Sequence, residues 1–250
     1  MADLSGKDQA NYVRRMFARL AERYNIANRW MTWGQDVKWR REVIDRACLP
    51  MGGKLLDVGT GTGDLALEAI QRDRTLFVVG LDFTHEMMRK VCRRQGSGSV
   101  RWINADALDI PFLKESFEAV VSGYLLRNVV DVERALAEQY RILNWGGWVV
   151  CLDTTPPPAD IWHLPVQLYL RHIIPAIGGL IAGDTKAYKY LPQSTELFMH
   201  PEELASCMLR VGFMEVQYRC FMGGTMAIHW GVKRDNLSAQ ACENYLSFRS

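Results

Sequence analysis

A chain of 250 residues, 48% of them apolar, can bury one sizeable core, and a formal net charge of +2 without a basic run argues against a nucleic-acid-binding role. Six scattered cysteines, Cys48, Cys92, Cys151, Cys207, Cys220 and Cys242, form no CxxC and have no histidine at ligand spacing, so neither a disulfide scaffold nor a metal site is expected. No stretch approaches the roughly 18 uncharged apolar residues of a spanning helix, and the opening MADLSGKDQANYVRR lacks the apolar run of a secretion signal; a cytoplasmic chain, soluble or peripheral to a membrane, is expected.

Residues 1–50 are aromatic and basic with helical spacing, as in RRMFARLAERYNIANRWMTWG, and predict an N-terminal helical cap that stops at the turn Pro50-Met51-Gly52-Gly53. From 54 to 153 strand-like and helix-like runs alternate: strand 54–58, helix 64–72, strand 76–81, helix 85–95, strands 100–104 and 119–122, helix 132–143 and strand 148–152. That rhythm predicts a single α/β domain, a parallel Rossmann-like sheet with helices on both faces. Residues 154–200, rich in Pro, Gly and aromatics, break the rhythm and read as an inserted lid. A helix at 202–211 and strands at 214–219 and 226–232 complete the sheet, and 234–250 is a polar tail.

Between the first strand and its helix lies KLLDVGTGTGDLAL, where Gly59, Gly61 and Gly63 let the backbone turn sharply and approach a ligand without Cβ clashes. Thr60 and Thr62 alternate with them. A dinucleotide fingerprint needs its third glycine one position later, at a helix N-terminus left free for pyrophosphate. Here Asp64 occupies that position and Asp57 closes the strand, so the loop disfavours an anion. Two carboxylates suit S-adenosylmethionine, which carries a sulfonium and an α-ammonium and no phosphate. Asp82, ending the second strand, is placed to accept from both ribose hydroxyls; Phe83 and Met87 can flank adenine, and Asp106 at the end of the third strand can read its edge.

The segment YLLRNVVDVERALAEQYRILNWGGWVVCLD, together with the N-terminal MFARLAERYNIANRWMTWGQDVKWR, the lid HIIPAIGGLIAGDTKAYKYLPQS and the closing MGGTMAIHWGVK, resembles the quinone-biosynthesis C-methyltransferases, the family of demethylmenaquinone and ubiquinone-precursor methyltransferases. The resemblance implies a class I methyltransferase sheet of seven strands with the last antiparallel, and methylation of a ring carbon of a polyprenylated hydroquinone. It places cofactor contacts on Thr62, Asp82, Asp106 and Ala107, and the catalytic group on Tyr24, Arg127 and Asn128. Departures include Asn144-Trp145-Gly146-Gly147 for Lys-Pro-Gly-Gly, Asn25 for an Asp, Gly123 where relatives place a cofactor-contacting Ser, and LDTTPPP for Glu-Phe-Ser-Lys-Pro.

A methyl sulfonium needs a nucleophilic carbon held in line at about 3–3.5 Å. A quinone is electron-poor, whereas the phenolate of the reduced hydroquinone pushes density onto the ortho carbon. Arg127 and Asn128, just after the fourth strand, can hold that oxyanion, although a guanidinium is a poor base. His163, His172 or a polarised water would then accept the proton. Tyr188 and Tyr190, with Leu164, Leu168, Leu170, Ile173 and Ile174, would wall a cavity for an isoprenoid tail. The blander readings are a structural ion pair for Arg127, a core aromatic for Tyr24, lid surface for the two histidines, and ordinary core or a homodimer surface for the apolar stripe. Rival functions are a nicotinamide oxidoreductase, a methyltransferase for a different small aromatic or isoprenoid compound, and a catalytically silent cofactor- or quinone-binding subunit.

Overall fold

The computed structural model describes residues 6–20, 24–157, 168, 190 and 194–234. Three helices come first: α1 (Gly6–Leu20), α2 (Tyr24–Met31) and α3 (Asp36–Arg46). On α1 the spacing of Val13, Met16 and Phe17 puts all three on one buried face; α3 buries Trp39, Val43 and Ile44 in the same manner. Then follow β1 (Lys54–Val58), α4 (Asp64–Arg72), β2 (Phe77–Asp82), α5 (His85–Val91), β3 (Val100–Asn104), β4 (Phe117–Gly123), α6 (Val132–Ile142) and β5 (Leu143–Thr154). A further helix, α7 (Pro201–Val211), and strands β6 (Met214–Phe221) and β7 (Met226–Val232) close the described fold.

The seven strands form one sheet in the order β3-β2-β1-β4-β5-β7-β6. Pairings among β1 to β5 are parallel, and β7 runs antiparallel to both neighbours. The central strands are apolar throughout because both faces are covered: Leu55, Val78, Ala119 and Val121 join the cluster under α3 and α4, while Leu56, Val79 and Val120 join the one under α6 and α7. From β1 the chain winds outward one way to β2 and β3, and the other way to β4 and β5, which opens a crevice at the carboxyl ends of β1 and β4.

The predicted parallel sheet, its helices and the antiparallel last strand are all present. Two boundaries shift by four residues or more. Helix α5 ends at Val91, four residues earlier than its apolar pattern, as the Arg93 and Arg94 amides shift to the i−3 carbonyls of Lys90 and Val91 before the chain reverses at Gly96 (φ 84°). The NWGG stretch, left outside the expected strand 148–152, is absorbed into β5, where Gly146 (φ 83°) donates its N–H to Lys233 O at 2.7 Å and the Lys233 ammonium donates to Leu143 O at 2.8 Å. Of the lid, His163, His172, Tyr188, Leu164, Leu170, Ile173 and Ile174 lie outside the described residues.

Trp102 on β3 packs its ring where a Cβ on Gly80 of β2 would stand and 2.8 Å from where one on Gly63 would stand, and its indole N–H donates to Ser97 O at 3.0 Å. Gly80→Ala should therefore lower stability by about 1–3 kcal/mol through overpacking. Denaturant midpoints should show Trp102→Leu recovering part of that loss in the double variant; equal midpoints for Gly80→Ala and the parent would dismiss the clash.

Candidate active site

Strand β1 delivers Asp57 to the crevice, and the loop to α4 turns over it. Gly59 (φ 69°) adopts a conformation that L side chains avoid, and a Cβ there would sit 2.7 Å from Leu125 Cδ1. Gly63 (φ 78°) is the left-handed residue from which α4 starts. Asp57 is buried: Oδ2 accepts from the Thr60 hydroxyl at 2.5 Å and the Ala66 amide at 3.2 Å, whereas Oδ1 meets no donor among the described residues. Burial pushes its carboxyl up to about 7, against the lowering effect of those two hydrogen bonds, with the Asp82 and Asp64 charges pushing it further up.

Asp82, at the end of β2, ties the loop to its own turn, Oδ2 accepting from the Gly61 amide at 2.8 Å and Oδ1 from the Thr84 amide at 2.7 Å. Burial raises its carboxyl and these amides oppose the rise. Asn104 on β3 braces the backbone, its amide donating to Asp82 O at 2.8 Å.

A cavity of about 90 Å³ opens beneath these groups. Its floor is Asp57, Gly59, Thr60, Gly61, Thr62 and Asp64; one wall is Asp82, Phe83 and Met87, another is Gly123, Tyr124, Leu125 and Asn128. Its roof comes from the cap, through Val13 and Phe17 of α1, Asn28 of α2 and Arg40 of α3. Asp57, Gly59, Thr60, Gly61, Thr62, Asp82, Phe83, Met87, Gly123 and Asn128 are thus brought together as the sequence suggested. Asp106 and Ala107 are not: Asp106 is exposed and caps its own turn by accepting from the Leu108 amide at 2.9 Å, and neither residue lines the cavity. The roof residues were not singled out from the sequence, because Val13 and Phe17 have the spacing of any core-facing helix.

Arg127 lies in a short 3-10 turn, Leu126–Asn128, after β4. Its side chain is 3% exposed and pairs with Asp153 of β5 at 3.0 Å, while Nη1 also donates to the Thr154 hydroxyl at 3.2 Å and the buried Nε meets no acceptor among the described residues. It does not line the cavity. Burial raises the Asp153 carboxyl, and Arg127 is the largest influence lowering it. The neighbouring Asn128 donates to Tyr124 O at 2.7 Å and accepts from the Tyr190 hydroxyl at 3.3 Å, which joins the lid to the cavity wall. Tyr24 opens α2, and its side chain lies outside the described ones.

Over 86–88% of its length this chain is similar to two bacterial proteins. It is 46% identical to the ubiquinone/menaquinone biosynthesis C-methyltransferase UbiE of Desulfotalea psychrophila, of which it covers 90%. It is 41% identical to the demethylmenaquinone methyltransferase of Thermus thermophilus, of which it covers 99%. Two solved structures share the fold. One is Haemonchus contortus phosphoethanolamine N-methyltransferase 2 with phosphomonomethylethanolamine and S-adenosylhomocysteine (TM-score 0.66, 14% identity, 94% of this chain and 61% of that one). The other is a Haloferax volcanii putative methyltransferase with its Trm112 activator (TM-score 0.63, 17% identity, 88% and 98%). With residues 5–233 matching it, nearly the whole described fold, the chain belongs to the ubiE/COQ5 methyltransferase family.

Proposed function

We propose that this enzyme takes a methyl group from S-adenosylmethionine and places it on a ring carbon of a polyprenylated hydroquinone. The observation that carries the reading is the cavity itself: three carboxylates, Asp57, Asp64 and Asp82, line one glycine-rich loop at the ends of β1 and β2, a setting hostile to phosphate and suited to a cationic nucleoside. The buried Asp57 Oδ1, which meets no donor among the described residues, fits an ammonium group, and the glycine cradle admits close backbone approach. Asp82 would hold the ribose, Phe83 and Met87 the adenine. When bound, the cofactor supplies an electrophilic methyl on sulfur. The substrate class comes from the names of the relatives, whose similarity extends from the cap to β7.

The protein's share of the chemistry is to make the ring carbon electron-rich. The Arg127 charge lowers the phenol of Tyr190, although burial raises that group overall, so the same field acts on a hydroquinone hydroxyl held beside Asn128. Asn128, on the cavity wall, would orient that oxygen, and Arg127 would stabilise the oxyanion from behind it. His163, His172 or a polarised water would accept the proton, Tyr24 would belong to the catalytic group, and Tyr188 and Tyr190 would wall the cavity for the isoprenoid tail.

Among the described residues no helix is long and apolar enough to cross a membrane. Helix α2 supports peripheral contact instead. Its inner side brings Asn28 to the cavity, while Ile26 and Trp30, one turn apart on the opposite side, and Trp33 just beyond are 55%, 65% and 78% exposed beside the exposed Arg29.

The test is transfer of labelled methyl from S-adenosylmethionine to a short-tailed demethylmenaquinol under anaerobic conditions. Product should form with dithionite and not with the oxidised quinone. Equal rates in both states would end the phenolate route, and cofactor binding without transfer to either a naphtho- or a benzohydroquinone would end the substrate assignment.

A further inference from the structure

Among the described residues lining the cavity, Arg40 is the one cation against three carboxylates. It projects from α3, and its side chain is 13% exposed. It is held from two sides: Nη2 lies 2.9 Å from Asp36 Oδ2 in the cap and 3.1 Å from Asp64 Oδ2 at the start of α4. Asp36 is itself 1% exposed and fixed by the Thr32 hydroxyl at 3.2 Å and Arg29 at 3.4 Å. Both contacts of Arg40 use Nη2. No hydrogen bond among the described residues reaches Nη1 or Nε, so the guanidinium retains donors on both sides of the engaged Nη2.

S-adenosylmethionine is not only cationic. Its amino-acid end carries an α-carboxylate, which three aspartates would repel. Arg94 also pairs with Asp64, but its Nη1 is committed to Thr62 O and Asp64 Oδ1, and it does not line the cavity. We propose that Arg40 anchors the α-carboxylate of the cofactor through the donors left on Nη1 or Nε, so that the cap contributes a binding group and not only a roof. This rests on the cofactor reading above. Asp57 and Asp64 would then meet the ammonium and Arg40 the carboxylate, an arrangement that distinguishes an amino-acid end from a simple amine. The competing role is a strut, with Arg40 doing no more than bridging Asp36 and Asp64.

Calorimetry on the full chain separates the two with a matched pair of ligands, S-adenosylmethionine and its decarboxylated form, which differ only in the carboxylate, and with 5′-methylthioadenosine, which lacks the amino-acid end. The parent should favour S-adenosylmethionine over the decarboxylated form by about 30-fold, the scale of a charge-assisted pair. Arg40→Met should lose that preference while binding decarboxylated cofactor and methylthioadenosine within about 3-fold of the parent, and Arg40→Lys should restore a part of it. A parent ratio near one overturns the proposal without any variant. So does an Arg40→Met protein that weakens all three ligands alike, which is the signature of the strut. A parent that binds methylthioadenosine and neither sulfonium overturns the cofactor reading itself, and this proposal with it.

Discussion

Arg127→Leu is expected to cost about 3–5 kcal/mol of stability, because it strands Asp153, 3% exposed, without its counter-charge. The loss should shrink as pH falls. A carboxyl whose folded-state pKa stands above its unfolded value binds a proton more readily in the native state, so acid relieves the penalty that neutral pH imposes. Activity is expected to fall as well, by about 10²–10³ in kcat, the usual scale for losing one preorganised oxyanion donor. A stability loss alone would obscure that second effect. Arg127→Leu with Asp153→Leu removes the ion pair as a unit and should recover much of the stability while leaving kcat low. Chemical denaturation and single-turnover rates on the same preparations decide, and a stable double variant with parental kcat would take Arg127 out of the mechanism.

Asp82→Ala is expected to weaken cofactor binding by about 1.5–3 kcal/mol. The structure gives this prediction two sources. The carboxylate is placed for the ribose, and it also accepts from the Gly61 and Thr84 amides, so its removal loosens the glycine loop and leaves two N–H groups without partners. Asp82→Asn separates them: its amide oxygen can still accept one of the two amides, so the loop should be partly held while charge-assisted ribose binding is lost. Unchanged affinity in both variants, by calorimetry, would remove Asp82 from the site.

The sheet was legible because its strands are continuous apolar runs cut by glycine and proline, and the loop because Gly59, Gly61 and Gly63 fall between a strand and a helix with acids on either side. The roof of the cavity was not, since Val13 and Phe17 facing a ligand and facing a core have the same helical spacing. Arg40 was hidden for a different reason. In sequence it is half of a basic doublet, which usually marks a solvated face, and its acidic partner Asp64 stands 24 positions away across a strand and a loop. The two readings of Arg127, oxyanion holder and ion pair, could not be separated without seeing β4 and β5 side by side; their parallel register sets Asp153 one residue past the partner of Gly123. Asp106 shows the reverse: a strand-end acid, assigned to the adenine edge, spends an oxygen on its own turn.

The last strand in chain order, β7, is not at the rim of the sheet. Every one of its residues is buried, and it fills the gap between β5 and β6 with a register running from Trp148 opposite Val232 to Thr154 opposite Met226. During synthesis, β1 to β5 emerge from the ribosome well before β7 does, and until then β5 presents a long apolar edge with nothing to pair with. The sheet therefore cannot be completed on a nascent chain until residues near Val232 have cleared the exit tunnel. A premature stop between Phe221 and Met226 would yield an aggregation-prone product and not a shortened enzyme, however intact its glycine loop and its cap.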